Sequence, residues 1–257
     1  MAEIYLAETV GPGGFVKPLV IKTIHQAYID DKRFVSMFTE EAKILSSLTH
    51  GNIVPIFDFG KADDLLYLAM EFIDGVDAAT LMDVCRFAGL TIPLESALFI
   101  GIGTAAGLFH AHQAKDAKGT NLNIVHRDVS PQNILLSRSG EVKLCDFGLA
   151  TRSMEDISTN VATNDEIKGK LRYLSPEQAA GLSVDRRSDL FSLGVVLYEL
   201  IAGHHPVPSG AGVSVLKELV GGTSYLSLKT AAPWIPEDIC NVIDRSLCFD
   251  KENRYQN

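Results

Sequence analysis

The sequence predicts an α+β fold, an antiparallel β region carrying one helix followed by a larger, mainly helical region, in one domain or two closely packed lobes. Three observations predict it. Residues 1–72 hold short apolar runs separated by turn residues, with one helical stripe among them. From residue 73 onward the apolar segments reach helical length. Residues 134–136 and 142–144 are apolar runs around Ser137-Arg-Ser-Gly-Glu141, a β-hairpin whose flanks carry Asp128, Asn133 and Asp146. With 257 residues, 46% of them hydrophobic, the chain is long enough to bury a large core.

The elements follow in order. Residues 3–8 alternate around Ile4 and Leu6 and read as a strand. Gly11-Pro-Gly-Gly14 is a turn, and residues 19–24 form a second strand, giving a hairpin. Val20, Lys22 and Ile24 share one face of that strand. A lysine between apolar neighbours on an inward face needs a partner or a ligand. Residues 31–48 read as a helix with Phe34, Phe38, Ala42, Leu45 and Leu48 on one stripe. Glu41 falls on the same stripe, so Lys22 and Glu41 explain each other as an ion pair; Glu40 fits a solvated surface charge better. Strands at 54–59 and 65–72 flank a turn at 60–64, the second apolar on both faces as in a buried strand. Residues 71–75 then change character, with Asp74-Gly75 ending the apolar run.

Residues 94 to about 114 read as a long helix. Its charge-free part, 96–111, falls short of the roughly 20 residues a membrane span needs, so a buried helix and no span are expected. A polar loop at 115–123 precedes the central hairpin. Residues 151–170 are polar and without periodicity, a flexible segment. Residues 188–201 are apolar nearly all round and read as the central buried helix, capped by Ser188 or Asp189 and stopped by Gly203. Amphipathic helices are expected over 213–220 and 236–247. His204 and His205 precede Pro206 in what reads as a surface turn, with no third ligand to suggest a metal.

A net charge of −9 argues against nucleic acid or an anionic membrane as partner. Cys85, Cys145, Cys240 and Cys248 show neither a CxxC pair nor metal spacing and read as reduced thiols. No signal peptide is visible, so a cytoplasmic location is expected. At the hairpin, two carboxylates and an amide can converge as an all-oxygen cluster suited to Mg²⁺ and phosphate, with one carboxylate left to accept a proton.

His126-Arg127-Asp128 with Asn133, followed across the hairpin by Asp146-Phe147-Gly148, resembles the catalytic loop and metal-binding motif of the eukaryotic-like protein kinases. The extended loop at 115–123, together with His-Arg-Asp-Val-Ser-Pro, is similar to kinases of myxobacteria-like bacteria. The resemblance implies a two-lobed protein kinase fold over 1–257, with 1–72 as the N-lobe and 73–257 as the C-lobe. It implies ATP with Mg²⁺ (or Mn²⁺) and a protein substrate phosphorylated on serine or threonine; a homodimer through the kinase lobe is a further expectation. Arg127 and the residues around Ser130-Pro131 resemble the Ser/Thr group more than the Tyr group with its Ala-Ala-Arg-Asn.

By the same resemblance Asp128 is the catalytic base and Lys22 holds the α- and β-phosphates. Glu41 positions Lys22, and Asn133 and Asp146 hold the metal. Val20 and Leu135 are nucleotide-site positions, Met70 is the gatekeeper behind the adenine, and Glu71 and Ile73 supply hinge backbone groups. The hinge stretch also fits a plain interlobe linker. Residues 151–170, running to Ser175-Pro176-Glu177, become the activation loop, with Ser153, Ser158, Thr159 and Thr163 as phosphorylation candidates and Arg127 as the phosphate's anchor. Asp189 would hold the catalytic loop, Arg254 would pair with Glu177, and Leu45, Ile56, His126 and Phe147 would stack as the regulatory spine.

There are departures. Met1-Ala-Glu-Ile-Tyr-Leu is similar to the end of the glycine-rich loop, so the chain is expected to begin inside that loop, with the 3–8 strand at a sheet edge. The final helix is expected to be cut as well. Ser130 stands where a γ-phosphate lysine is common, and Val20 stands for an alanine. Cys145, beside Asp146, is either a reactive thiol or a buried inert one. Two other readings compete. A pseudokinase or nucleotide-binding regulatory module is favoured by Ser130 and the missing loop. A small-molecule phosphotransferase is disfavoured by Ser175-Pro-Glu177.

Overall fold

The computed structural model describes residues 2–25, 28–63, 65–147, 169–207, 220–221 and 225–257. Strands β1 (Ala2–Val10) and β2 (Val16–Ile24) make the first hairpin through a 3-10 turn at Pro12–Gly14. With β3 (Ile56–Ala62) and β4 (Leu65–Glu71) they form an antiparallel sheet in the order β1-β2-β4-β3. β1 therefore lies at an edge, and β4, apolar on both faces, lies inside. The turn expected at 60–64 is corrected: the strand continues through Ala62, with Gly60 opposite Tyr67. Pairing with β4 overrides the turn preference of glycine there. A Cβ at Gly60 would collide with the Tyr67 ring, which reaches across so that its hydroxyl donates to Asp58 at 2.7 Å.

Helix α1 (Lys32–Ser47) starts at Asp31, whose carboxylate accepts from the Arg33 amide. Phe38, Ala42 and Leu45 are buried against the sheet, as the stripe requires.

The C-lobe opens with β5 (Gly75–Asp77), which pairs with β6 (Ile134–Ser137) and through it with β7 (Val142–Leu144). β5 was not foreseen, because three residues carry no alternation to read. Its Gly75 is obligatory, since a Cβ would strike the Leu136 carbonyl. Helices α2 (Ala78–Ala88) and α3 (Leu94–His112) follow. Then come α4 (Pro176–Ala179), α5 (Arg186–Ala202), α6 (Leu228–Ala231) and α7 (Glu237–Ser246). α5 is the pillar of this lobe: Phe191, Val195, Val196 and Tyr198 are fully enclosed, and α3 and α7 both pack on it. Gly203 ends it in the left-handed conformation (φ 76°).

Three readings need correction. The cap of α5 is Asp185, which accepts from the Arg187 amide, because the helix begins a turn earlier than its apolar run. α3, expected to be buried, has length and composition enough to cross a membrane and is only partly buried. Ala97, Ile100, Leu108 and Ala111 face the lobe while Phe99, Ile102 and Phe109 are exposed. His205 is buried, not on a surface turn: its ring meets the Arg172 carbonyl at 2.9 Å and accepts from the Val207 amide. The helix expected over 213–220 lies, but for its last residue, outside the described residues.

Candidate active site

The β2 pairing places Lys22 inward, and α1 carries Glu41 toward it. The Lys22 Nζ lies 2.8 Å from Glu41 Oε1 and 2.8 Å from Asp146 Oδ1. One ammonium thus serves two carboxylates. Burial alone would lower the lysine pKa, but the Asp146 and Glu41 charges outweigh it and hold it above its usual value. Burial would likewise raise Asp146, yet the charge and hydrogen bond of Lys22 hold it below the carboxylate range. Glu41 goes the other way: burial, with repulsion from Asp146, raises it against the pull of Lys22.

The hairpin delivers the second half of the site. The Cys145 amide donates to the Asn133 carbonyl, which sets Asn133 and Asp146 side by side. The Asn133 amide Nδ2 donates to Asp128 Oδ2 at 2.9 Å and to the Asp128 carbonyl at 2.7 Å, leaving Oδ1 as the acceptor atom. A third group was missed in the sequence: Lys170 Nζ lies 2.7 Å from Asp128 Oδ2.

The backbone beneath is held by Asp189, buried at the start of α5. Its two oxygens accept from the His126 and Arg127 amides, each at 2.8 Å, and His112 meets it at 2.7 Å. Gln178 adds a bond to the Arg127 carbonyl. These contacts hold Arg127 (φ 66°) in a backbone region that non-glycine residues seldom occupy, and Asp146 (φ 54°), beyond the hairpin, lies in the same region. The His126 ring packs on Phe147 at 4.5 Å and bonds the Cys145 carbonyl. It accepts from the Asp128 amide, which makes it the neutral tautomer; burial lowers its pKa in the same sense.

Val20 and Met70 are cross-strand partners at the sheet end of the cleft. The Glu71 amide is taken by the Pro55 carbonyl, while among the described residues Ile73 makes no main-chain hydrogen bond. Ile73 and Leu135 line a small open cavity with Val76, Asp77 and Thr80. Cys145 is half-buried, and desolvation, with the neighbouring Asp146 charge, pushes its thiol well above the ordinary value, which favours the inert reading. All four cysteines are free. Arg254, fully buried, pairs with Glu177 at 2.7 and 2.9 Å, and Ser188 donates to the same carboxylate. Ser153, Ser158, Thr159 and Thr163 lie outside the described residues.

The protein kinase domain family matches residues 15–256 of this sequence. The chain belongs to that family. It is 36% identical to the tyrosine-protein kinase MasK of Myxococcus xanthus over 99% of its length. It is 37% identical to the serine/threonine-protein kinase PrkC of Bacillus subtilis over all of its length. It spans only 39% and 37% of those two proteins. Among solved structures, the Mycobacterium tuberculosis PknI kinase domain superposes with a TM-score of 0.69 at 28% identity, over the whole of this chain and 87% of that one. The two-lobed kinase fold expected from the motifs is the fold of the chain.

Proposed function

We propose that this chain transfers the γ-phosphoryl group of ATP to a serine or threonine hydroxyl of a protein substrate. The observation that carries the reading is the assembled charge cluster: Lys22 locked between Glu41 and Asp146, beside Asp128 held by Asn133. The adenine lies between the Val20–Met70 pair and Leu135, with the Glu71 carbonyl and Ile73 amide at its edge. Lys22 holds the α- and β-phosphates, and Glu41 fixes Lys22. The donor chemistry fits Mg²⁺, with Mn²⁺ as a substitute: the Asp146 carboxylate and Asn133 Oδ1 are hard oxygen donors. When bound, the metal neutralises charge on the phosphate oxygens. Asp128 orients the acceptor hydroxyl and takes its proton as the acceptor oxygen bonds phosphorus and ADP departs with the bond pair. Arg127, whose Nε is buried without a partner among the described residues, anchors a phosphate on Ser153, Ser158, Thr159 or Thr163. The division into an N-lobe (1–72) and a C-lobe (73–257), and a cytoplasmic site of action, belong to the same reading.

The test is incubation with Mg²⁺, radiolabelled ATP and a general protein acceptor, followed by phosphoamino-acid analysis. Label on serine or threonine supports the reading. Label on tyrosine alone reassigns the acceptor to the class named for the Myxococcus relative. Nucleotide binding without transfer favours the regulatory module.

A further inference from the structure

We propose that Lys170 is a catalytic residue of this site, the cation that holds the transferred phosphoryl group beside Asp128. This rests on the kinase reading above and deepens it. A phosphoryl group in transfer spreads negative charge over three oxygens, so its site needs positive charge placed in advance. Lys22 is already committed, at 2.8 Å to each of two carboxylates, with only 11% of its side chain exposed. Ser130, two residues past Asp128, is buried, and its hydroxyl has no partner among the described residues. It supplies no charge. Lys170 does. Its Nζ sits 2.7 Å from Asp128 Oδ2, and the two side chains are 33% and 31% exposed, open to a substrate.

The position is built. The residues after Lys170 are pinned to the helical lobe: Leu171 and Tyr173 are buried, the Arg172 carbonyl bonds His205, and the Tyr173 hydroxyl donates to Glu199 at 2.6 Å. A half-exposed ion pair of this kind contributes little to stability. Its value is therefore positional. Lys170 forms no covalent bond in the reaction; the phosphorus leaves the ADP oxygen for the acceptor oxygen, the acceptor proton goes to Asp128, and Lys170 neutralises the oxygens that remain on phosphorus.

The experiment compares the affinity of ADP and of the β,γ-imido ATP analogue, each with Mg²⁺, by calorimetry on the 257-residue chain and its Lys170→Met variant. Loss of a charge-assisted contact to the terminal phosphate weakens the analogue by about ten- to a hundredfold and leaves ADP unchanged. Lys170→Arg retains most of the preference for the analogue. In turnover, Lys170→Met lowers kcat by roughly 10²–10³-fold, as for loss of one preorganised donor. Equal weakening of both nucleotides, or of neither, overturns the assignment. If the unaltered chain binds neither nucleotide, the kinase reading itself fails, and the inference goes with it.

Discussion

At the scale of single residues, the site turns on how one ammonium is divided between two carboxylates. Asp146, held below its usual pKa, contributes stability that is present above about pH 3.9, its unfolded value, and is lost as pH falls through the folded one. Glu41, raised by burial, works in the opposite sense: its contribution is full at acid pH and is lost as pH rises through the folded pKa, so its ionised form is a cost at pH 7. Asp146→Asn is therefore expected to lower thermal stability at pH 7, with the difference from the unaltered chain closing below about pH 4. Glu41→Gln is expected to keep or raise stability at pH 7 while lowering kcat/KM. Melting curves across pH check both, and a parallel loss of stability in the two variants contradicts the division. For Cys145, half-buried with a raised thiol pKa, reaction with iodoacetamide at pH 7.5 is expected to be much slower in the native chain than in the denatured one. Equally fast labelling of Cys145 in the native protein would revive the reactive reading.

Lys22 and Glu41 were legible in the sequence because helical phase and strand alternation each put a charge on an apolar face, and only a partner explains that. Lys170 was not, because it closes a polar stretch with no periodicity and its role depends on a contact 42 positions away in the chain. Asp185 was missed as a cap for a related reason. Ser188 and Asp189 are nearer the apolar run, but the structure turns Ser188 toward Glu177 and Asp189 toward the catalytic loop.

At the scale of elements, α5 supports the chemistry without touching it. Its first turn presents Asp189 to the loop below Asp128, and Ser188 to the Glu177–Arg254 pair that ties α4 to the end of the chain. That pair is buried, so removing its cation strands a carboxylate. Arg254→Met is expected to lose roughly 3–5 kcal/mol, a drop in Tm of about 10 °C for a domain of this size. A Tm within about 2 °C of the unaltered chain would contradict a supporting role. Burial would raise Glu177, but its hydrogen bonds from Arg254 and Ser188 hold it down. The stability gained is thus present above about pH 4.3 and fades as pH falls through the folded value. Strands and helices with clear periods were readable from the sequence. β5 and the far end of β3 were not, since only their cross-strand partners define them.

At the scale of the whole molecule, residues distant in sequence meet in one cleft: Lys22 and Glu41 from the β lobe, Asp128, Asn133, Asp146 and Lys170 from the helical lobe. The proposed function gives binding mainly to the first group and proton acceptance to Asp128, so on that reading the two functions are separable. The most direct measurement is single-turnover phosphoryl transfer beside nucleotide affinity, on the unaltered chain and on Asp128→Asn. The account predicts a rate about 10²–10⁴-fold lower in the variant, with the ATP dissociation constant unchanged. An equal rate in the variant, or loss of rate and affinity together, would contradict it.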